Sequence, residues 1–375
     1  MGGAGPCGGW PAAGERALAR VSSGAIAANC ERLGRALTGG ARLCAVVKAD
    51  GYGHGAAACA RAARAGGASW LAVATAREAV ALREAGDEGR LLVMGSLTRA
   101  EAREAVAADA DLAVWSAQLL AALPAGARVH VKLDTGMGRL GTRDARAAAE
   151  LCDAAAADER LELVGAMTHF ATADEPGDEH FPAQLERFTA FAAGLRDRHP
   201  ELLLHAANSA ATLREPDNHL DMVRCGVAIY GLDPFQRDPA AHGLEPALSL
   251  ESWVATVKRF EPGEGVGYGR RFVAREPTWI ATLPIGYGDG WRRALGDNCD
   301  VLVAGRRHPL VGTVSMDNVT IDLGPETTLA PGEPAVLIGA QGEQRILCEE
   351  VARRLGTINY EVTCGLGARV PRAHA

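Results

Sequence analysis

Residues 70–101 read WLAVATAREAVALREAGDEGRLLVMGSLTRAE, and two periods of a single pattern fill the stretch. An apolar run (70–74, WLAVA) ends at Thr75, and Thr75-Ala-Arg-Glu78 has the spacing of a capping box. In such a box a hydroxyl and a carboxylate three residues apart satisfy the first free amides of a helix. An alanine-rich stretch follows, Gly86 is placed to end it, and a second apolar run (90–94, RLLVM) leads to a second box, Thr98-Arg-Ala-Glu101. Neither run alternates with polar residues, which is the pattern of strands buried on both faces in a parallel sheet. The unit is strand, turn, helix.

The same unit recurs on either side. Residues 42–47 (RLCAVV), 111–115 (DLAVW), 128–133 (RVHVKL), 163–168 (LVGAMT), 202–206 (LLLHA) and 222–225 (MVRC) are further candidate strands, and Gly66 is placed to end a helix after the first of them. Eight strands in about 230 residues have the size and rhythm of a (β/α)₈ TIM-type barrel. An open doubly wound sheet would show the same pattern, because periodicity carries no information on closure. Near 233–246, DPFQRDPAAHGLEP reads as a linker. Beyond it SLESWVATVKRF, TWIATLPIGYGDG, CDVLVAG and HPLVGTVSMDNVTIDLG are β-like runs broken by Gly, Pro and Asp. One helix is marked there by Leu347, Val351 and Leu355, with Gly356 as its stop. The expected organisation is a loose lead-in over 1–16, an α/β barrel over 17–242, and a β-rich C-terminal domain over 243–375.

A chain of 375 residues with 48% hydrophobic residues suits two domains with substantial cores. A formal net charge of −7 without a basic block argues against nucleic acid or an anionic membrane as partner. The nine cysteines are scattered singly with no C-x-x-C pair, so they read as free thiols in a reducing compartment and not as a disulfide framework or a metal site. The N-terminus lacks a secretory pattern and no apolar stretch approaches the roughly 20 residues that span a bilayer. A cytoplasmic location is expected.

In a (β/α)₈ barrel the active site lies at the C-terminal ends of the strands. There the first strand ends in Lys48 and ADGYGHG, and the fifth carries Lys132 and DTGMGRLG. The sixth runs into His169, the seventh into Asn208-Ser209, and the eighth carries Arg224 and Gly226. Lys48 follows a buried apolar run, where a desolvated lysine with a lowered pKa can form a Schiff base; the competing reading is a lysine snorkelling off a strand end. Glycines flank Tyr52 and allow backbone and phenol to approach a bound group. Asn208, Ser209, Gly226 and Val227 follow strands seven and eight, where such barrels commonly bind phosphate. Taken singly they read as a helix cap at Ser209 and a turn at Gly226. Together, opposite the first-strand lysine, they suggest a cofactor that carries a phosphate. GMGRLG at 136–141 also fits the dinucleotide fingerprint, but it follows the fifth strand and not the first.

AVVKADGYGHG (45–55), KLDTGMGRLG (132–141), THFATADE (168–175), ANSAAT (207–212), VRCGVAIYGL (223–232), GVGYGRRF (265–272), LPIGYGDG (283–290), SMDN (315–318) and INYEV (358–362) resemble, in order, the motifs of the alanine racemase family of fold-type III pyridoxal-phosphate enzymes. The resemblance runs from about residue 17 to the C-terminus. It implies a barrel plus a β domain, pyridoxal 5'-phosphate as cofactor, and a homodimer with shared active sites. The implied reaction is two-base interconversion of L- and D-alanine, supplying D-alanine for peptidoglycan. Lys48 would hold the cofactor and act as one base, and Tyr268 from the partner subunit would be the other. Tyr52, Ser209, Gly226, Val227 and Tyr360 would hold the phosphate. Arg224 would face the pyridine nitrogen, and His169 would lie under the ring. Arg139, Met316 and Asp317 would line the substrate pocket and Tyr287 its entrance, while Lys132 corresponds to a lysine that many members carbamylate.

The opening segment, ERALARVSSGAI, departs from the usual first strand of the family, and the tail TCGLGARVPR is a variant expected to touch no assigned catalytic position. Two related readings differ in activity. One is a serine or broad-specificity amino-acid racemase with the same mechanism. The other is a non-catalytic pyridoxal-phosphate-binding barrel, which would lack the second domain.

Overall fold

The computed structural model describes residues 14–216 and 219–375, so most of the expected lead-in lies outside the described residues. The chain forms two compact units, one of residues 23–245 and one joining the residues before Ser23 to Pro246–Ala375. Strand β1 (Leu18–Val21) belongs to the second unit. The first unit holds β2 (Arg42–Val46), β3 (Trp70–Val73), β4 (Arg90–Val93), β5 (Asp111–Val114), β6 (Ala127–Lys132), β7 (Leu161–Met167), β8 (Leu203–His205) and β9 (Met222–Cys225). These pair in the order β8-β7-β6-β5-β4-β3-β2-β9, with β2 parallel to both β3 and β9. Between the end strands, Asp221 N–H donates to Leu204 O and Arg224 N–H to Ala207 O. Those bonds bring the ends of the sheet together, so the architecture is a TIM-type barrel and not an open sheet.

Local chemistry explains the regularity. All four residues of β3 are buried, as its unbroken apolar run requires of a strand covered on both faces, and in β5 the buried apolar run follows a buried Asp111. Both capping boxes form: Thr75 and Glu78 open the helix Ala76–Glu84, and Thr98 and Glu101 open Arg99–Ala107. Gly86 follows the first of these helices at φ 89°, a left-handed conformation that costs glycine nothing.

The second unit contains β10 (Leu248–Trp253), β11 (Thr256–Phe260), β12 (Gly265–Val266), β13 (Phe272–Val273), β14 (Thr278–Leu283), β15 (Asp300–Val303), β16 (Arg306–Pro309), β17 (Val319–Gly324), β18 (Pro334–Gln341), β19 (Gln344–Ile346) and β20 (Arg372–His374). One sheet runs β16-β15-β18-β10-β1-β20 with β19 on β18, a second runs β11-β14-β17, and β12 and β13 form a small hairpin. Burial alternates along β10 and β17, the mark of sheets with one face on a core.

The barrel was expected over 17–242, a span that includes the residues of β1, and the β-rich domain over 243–375. Instead β1 pairs antiparallel with β10 and parallel with β20, and the division falls at Glu245/Pro246. A four-residue strand has no local signal for its sheet, because its partners lie more than two hundred residues away in the chain. The single expected helix, Cys348–Leu355 closed by Gly356 at φ 66°, is joined by a second, Asn359–Cys364, which carries Tyr360.

Candidate active site

Lys48 follows the end of β2, and the backbone beyond it turns left-handed. Ala49 (φ 51°, ψ 51°), Asp50 (φ 52°, ψ 49°), Gly51 (φ 62°, ψ 42°) and Tyr52 (φ 54°) make one left-handed turn. Each non-glycine residue there costs roughly 1–2 kcal/mol, so the turn needs outside support. Gly51 N–H donates to Val47 O and Gly53 N–H to Ala49 O, while Asp50 Oδ1 accepts from Ala56 N–H at 2.8 Å. The turn buries Tyr52 against Tyr230, ring centroids 5.1 Å apart.

Gly226 admits the Tyr52 hydroxyl: a Cβ at that position would lie 2.3 Å from Tyr52 Oη. Ser209 Oγ accepts from Gly226 N–H at 3.0 Å and from Ala228 N–H at 3.3 Å. The helix Ser209–Arg214 is capped by Asn208, whose Oδ1 accepts from Ala211 N–H at 3.0 Å. The alternative reading of Ser209 as the cap is therefore corrected, and Ser209 instead orders the loop after β9. Tyr52, Ser209, Gly226 and Val227 thus meet at one end of β2, β8 and β9.

A group of cations shares this end of the barrel. Lys132 is 5% exposed, and burial, with Arg224, Arg139 and Lys48 adding repulsion against the pull of Asp134, lowers it to about 8. Burial and the same cations hold His169 well below the ordinary histidine value, so it is neutral. Like charges gathered at a poorly hydrated site raise its energy unless an anion joins them.

Arg224 is buried, which pulls its guanidinium down to about 10 and leaves it charged at neutral pH. Its Nη2 donates to Thr168 O (2.7 Å), Ala206 O (3.0 Å) and His169 Nδ1 (3.2 Å), and its Nη1 to His205 Nδ1 (2.8 Å). Behind it stands a chain that sequence reasoning missed: His205 Nε2 and His130 Nδ1 are 2.9 Å apart, and His130 Nε2 meets Asp111 Oδ2 at 3.1 Å. Burial would raise the Asp111 carboxyl, but hydrogen bonds from His130 and Arg128 and the charge of Arg90 outweigh it. The two ends fix the protons between them. A carboxylate only accepts and a guanidinium only donates, so both imidazoles must be neutral with hydrogen on Nε2. No sequence pattern marks this ladder, since its members lie on β5, β6, β8 and β9 and meet only in the closed barrel.

The glycine-rich loop after β6 does not cradle a phosphate. Its Gly136, Met137 and Gly138 N–H groups all donate to Asp134 Oδ1, at 3.0, 2.7 and 3.1 Å. Those amides are consumed within the loop, which removes the dinucleotide reading and leaves Arg139 exposed just beyond it.

The other predicted residues lie on the second unit. Tyr268 occupies the tip between β12 and β13, beside Gly267 (φ 67°) and Gly269 (φ 72°), and is 73% exposed. The Tyr287 and Met316 loops are tied together, with Tyr287 N–H on Ser315 O and Gly288 N–H on Met316 O. Asp317 is held by Arg369, whose Nη2 donates to Asp317 Oδ1 at 2.6 Å while its Nε meets Asp289 Oδ1 at 3.2 Å. Arg16 Nη2 donates to Asp289 Oδ2 at 3.0 Å. Arg369 belongs to the tail TCGLGARVPR, so that stretch reaches Asp317, a residue expected to line the substrate pocket. Tyr360 is half-buried on its helix.

The sequence matches the alanine racemase N-terminal domain over residues 21–234 and the C-terminal domain over 247–374. It is 44% identical to the alanine racemase of Geobacillus stearothermophilus over 94% of this chain and 92% of that one. It is 43% identical to that of Frankia casuarinae over 90% and 91%. Among solved structures, alanine racemase from E. faecalis superposes with a TM-score of 0.91 at 37% identity, covering 98% of this chain and all of that one. The Bacillus anthracis enzyme, solved with bound L-Ala-P, gives 0.88 at 35% identity over 96% and 95%. The chain belongs to the alanine racemase family of barrel enzymes with a C-terminal β-rich domain. It is an isomerase, and its reaction is the interconversion of L- and D-alanine. Among the described residues no helix is long and apolar enough to cross a membrane.

Proposed function

We propose that this racemisation runs on pyridoxal 5'-phosphate bound at the mouth of the barrel, with Lys48 and Tyr268 as its two bases in a homodimer. The observation that carries the reading is the gathering of Lys48, Lys132, Arg139 and Arg224 about His169, beside a cradle formed by Tyr52, Ser209 and Gly226. Such a set suits a dianionic phosphate joined to an aromatic ring and an amino-acid carboxylate. When bound, the cofactor supplies delocalisation of the electrons left at the substrate Cα.

The remaining work falls to the chain's own groups. Lys48 Nζ would hold the cofactor and, once released, exchange a proton on one face of Cα; Tyr268 Oη of the other subunit would do so on the opposite face. Tyr52, Ser209, Gly226, Val227 and Tyr360 would bind phosphate, with Asn208 fixing the loop that carries Ser209. Arg224, donor-only and locked by the imidazole ladder, would face the ring nitrogen without supplying it a proton, and neutral His169 would lie beneath the ring. Arg139, Met316 and Asp317 would contact the substrate, and Tyr287 would line its entrance.

A lysine at about 8 keeps a sizeable neutral fraction at pH 7, the form that combines with carbon dioxide. A carbamate on Lys132 would replace a repelling cation with an anion that orients Arg139. Tyr268, Tyr287 and Met316 are 73, 43 and 51% exposed, large side chains left in water on this subunit and suited to a second copy's site. The seven buried cysteines are free thiols, which fits a reducing cytoplasm. D-alanine supply for peptidoglycan is the role this chemistry serves.

The test mixes two inactive variants. Lys48→Ala and Tyr268→Ala subunits, exchanged and given L-alanine, should regain part of the D-alanine output measured by chiral chromatography. No recovery after proven subunit exchange sinks the shared site. Separate assays with L-serine and other amino acids read substrate preference.

A further inference from the structure

The two capping boxes are alike in sequence and differ in reach. Glu101 Oε2 accepts from Thr98 N–H and Thr98 Oγ1, both at 2.8 Å, and its hydrogen bonds stay at its own helix start. Glu78 Oε2 likewise accepts from Thr75 N–H (3.0 Å), and also from Ala74 N–H (2.8 Å). Its other oxygen, Oε1, crosses to the neighbouring loop and accepts from Ala49 N–H at 2.6 Å.

Ala49 is the residue after Lys48, and the peptide unit between them is planar, so the direction of Ala49 N–H fixes the Lys48 carbonyl as well. The plane on the other side of Lys48 is held through Val47 O, which accepts from Gly51 N–H at 2.9 Å. That second anchor belongs to the left-handed turn itself. The Cα of Lys48 is therefore suspended between two anchored planes, and the side chain that secures one of them from outside the turn is Glu78. Ala49 is also the first residue of the turn in the disfavoured conformation, where an added charged acceptor does most to hold the chain against relaxation.

We infer that Glu78 is a positioning residue for Lys48: by gripping Ala49 N–H it aims the lysine stem into the barrel mouth and keeps the left-handed turn that presents Tyr52. It touches no reacting atom. The inference rests on the reading of Lys48 as the cofactor lysine. It explains why a helix-capping carboxylate on one loop is aimed at the first residue of a strained turn on another.

The matched pair of boxes supplies its own control. Glu78→Gln keeps one acceptor oxygen but turns an NH₂ toward backbone N–H groups, so it cannot satisfy Ala49 and the cap together; Glu101→Gln disturbs only a cap. Both variants should lose similar thermal stability. In cofactor-free protein, hydrogen exchange followed by mass spectrometry should show the Ala49 amide protected in wild type and in Glu101→Gln, and unprotected in Glu78→Gln. Equilibrium dialysis with pyridoxal 5'-phosphate should show affinity weakened about tenfold or more in Glu78→Gln alone, the scale of one charge-assisted hydrogen bond. The loss of kcat should exceed any change in KM.

Should Glu78→Gln fail to fold, Glu78→Asp keeps the charge and shortens the reach to Ala49, and carries the same comparison. Glu78 variants indistinguishable from Glu101→Gln in Ala49 exchange and in cofactor affinity would overturn the inference. Should Lys48→Ala bind pyridoxal phosphate as tightly as wild type, the cofactor reading falls and the positioning role falls with it, even with Ala49 protected by Glu78.

Discussion

At the scale of single residues, the site depends on atoms that are missing as much as on those present. Gly226 is such a case, since the Tyr52 hydroxyl occupies the space a side chain would need. Gly226→Ala should displace Tyr52 and weaken pyridoxal-phosphate binding by about tenfold or more, the effect of roughly 1–3 kcal/mol of overpacking. Fluorescence titration of the cofactor reads this directly; an affinity within twofold of wild type would show that Tyr52 and Gly226 do not share the phosphate site. Lys48, Lys132, His169 and Arg224 were all legible in the sequence as polar groups at strand ends. Their convergence on one face followed from the barrel reading, but the individual bonds among them did not, because those are properties of the closed ring. Asp111 and His130 were invisible for the same reason: on β5 and β6 they read as ordinary strand residues.

At the scale of elements, apolar runs gave the barrel strands to within a residue or two, and capping boxes gave the starts of the helices Ala76–Glu84 and Arg99–Ala107. The turn after Lys48 escaped this reading. AVVKADGYGHG contains glycines enough to suggest flexibility, yet the left-handed conformation extends over Asp50 and also over Ala49 and Tyr52, which have no preference for it. Local bonds within 47–56 and the Glu78 carboxylate from another segment meet it there. β1 shows the same dependence. Ala19 and Val21 are fully buried between β10 and β20, so a variant lacking residues 1–22 exposes two strand edges in the second unit. It should melt at lower temperature, with faster hydrogen exchange in Leu248–Trp253 and unchanged exchange in β3–β5. Destabilisation confined to the barrel would contradict that assignment.

At the scale of the whole molecule, seven of the eight described cysteines are buried and Cys364 is exposed. Burial raises Cys30, Cys44, Cys59, Cys152 and Cys299 to about 12 and Cys225 to about 11. The fold thus favours the protonated thiols, and the unfolded chain releases those protons at lower pH. Stability from this source is complete below about pH 8.5, the unfolded thiol value, and is lost as pH rises toward 12. Denaturant midpoints measured from pH 7 to 11 should fall steeply above about pH 9. Replacing Cys44 and Cys225 by alanine should flatten that fall; an unchanged slope would assign it to other groups.

The sequence alone determined the repeating strand–helix unit, the two-domain plan, the helix starts and the identity of most proposed site residues. All of these are written in spacings of a few residues or in ordered motifs. Tertiary structure decided that the sheet closes, that β1 joins the far domain, and that Ser209 orders a loop while Asn208 caps. It also decided that Arg369 grips Asp317 and that one of two similar capping boxes reaches across to Ala49. Each of these is a hydrogen bond, ion pair or strand pairing between segments separated along the chain, and local pattern cannot encode the direction in which a folded chain brings such segments together.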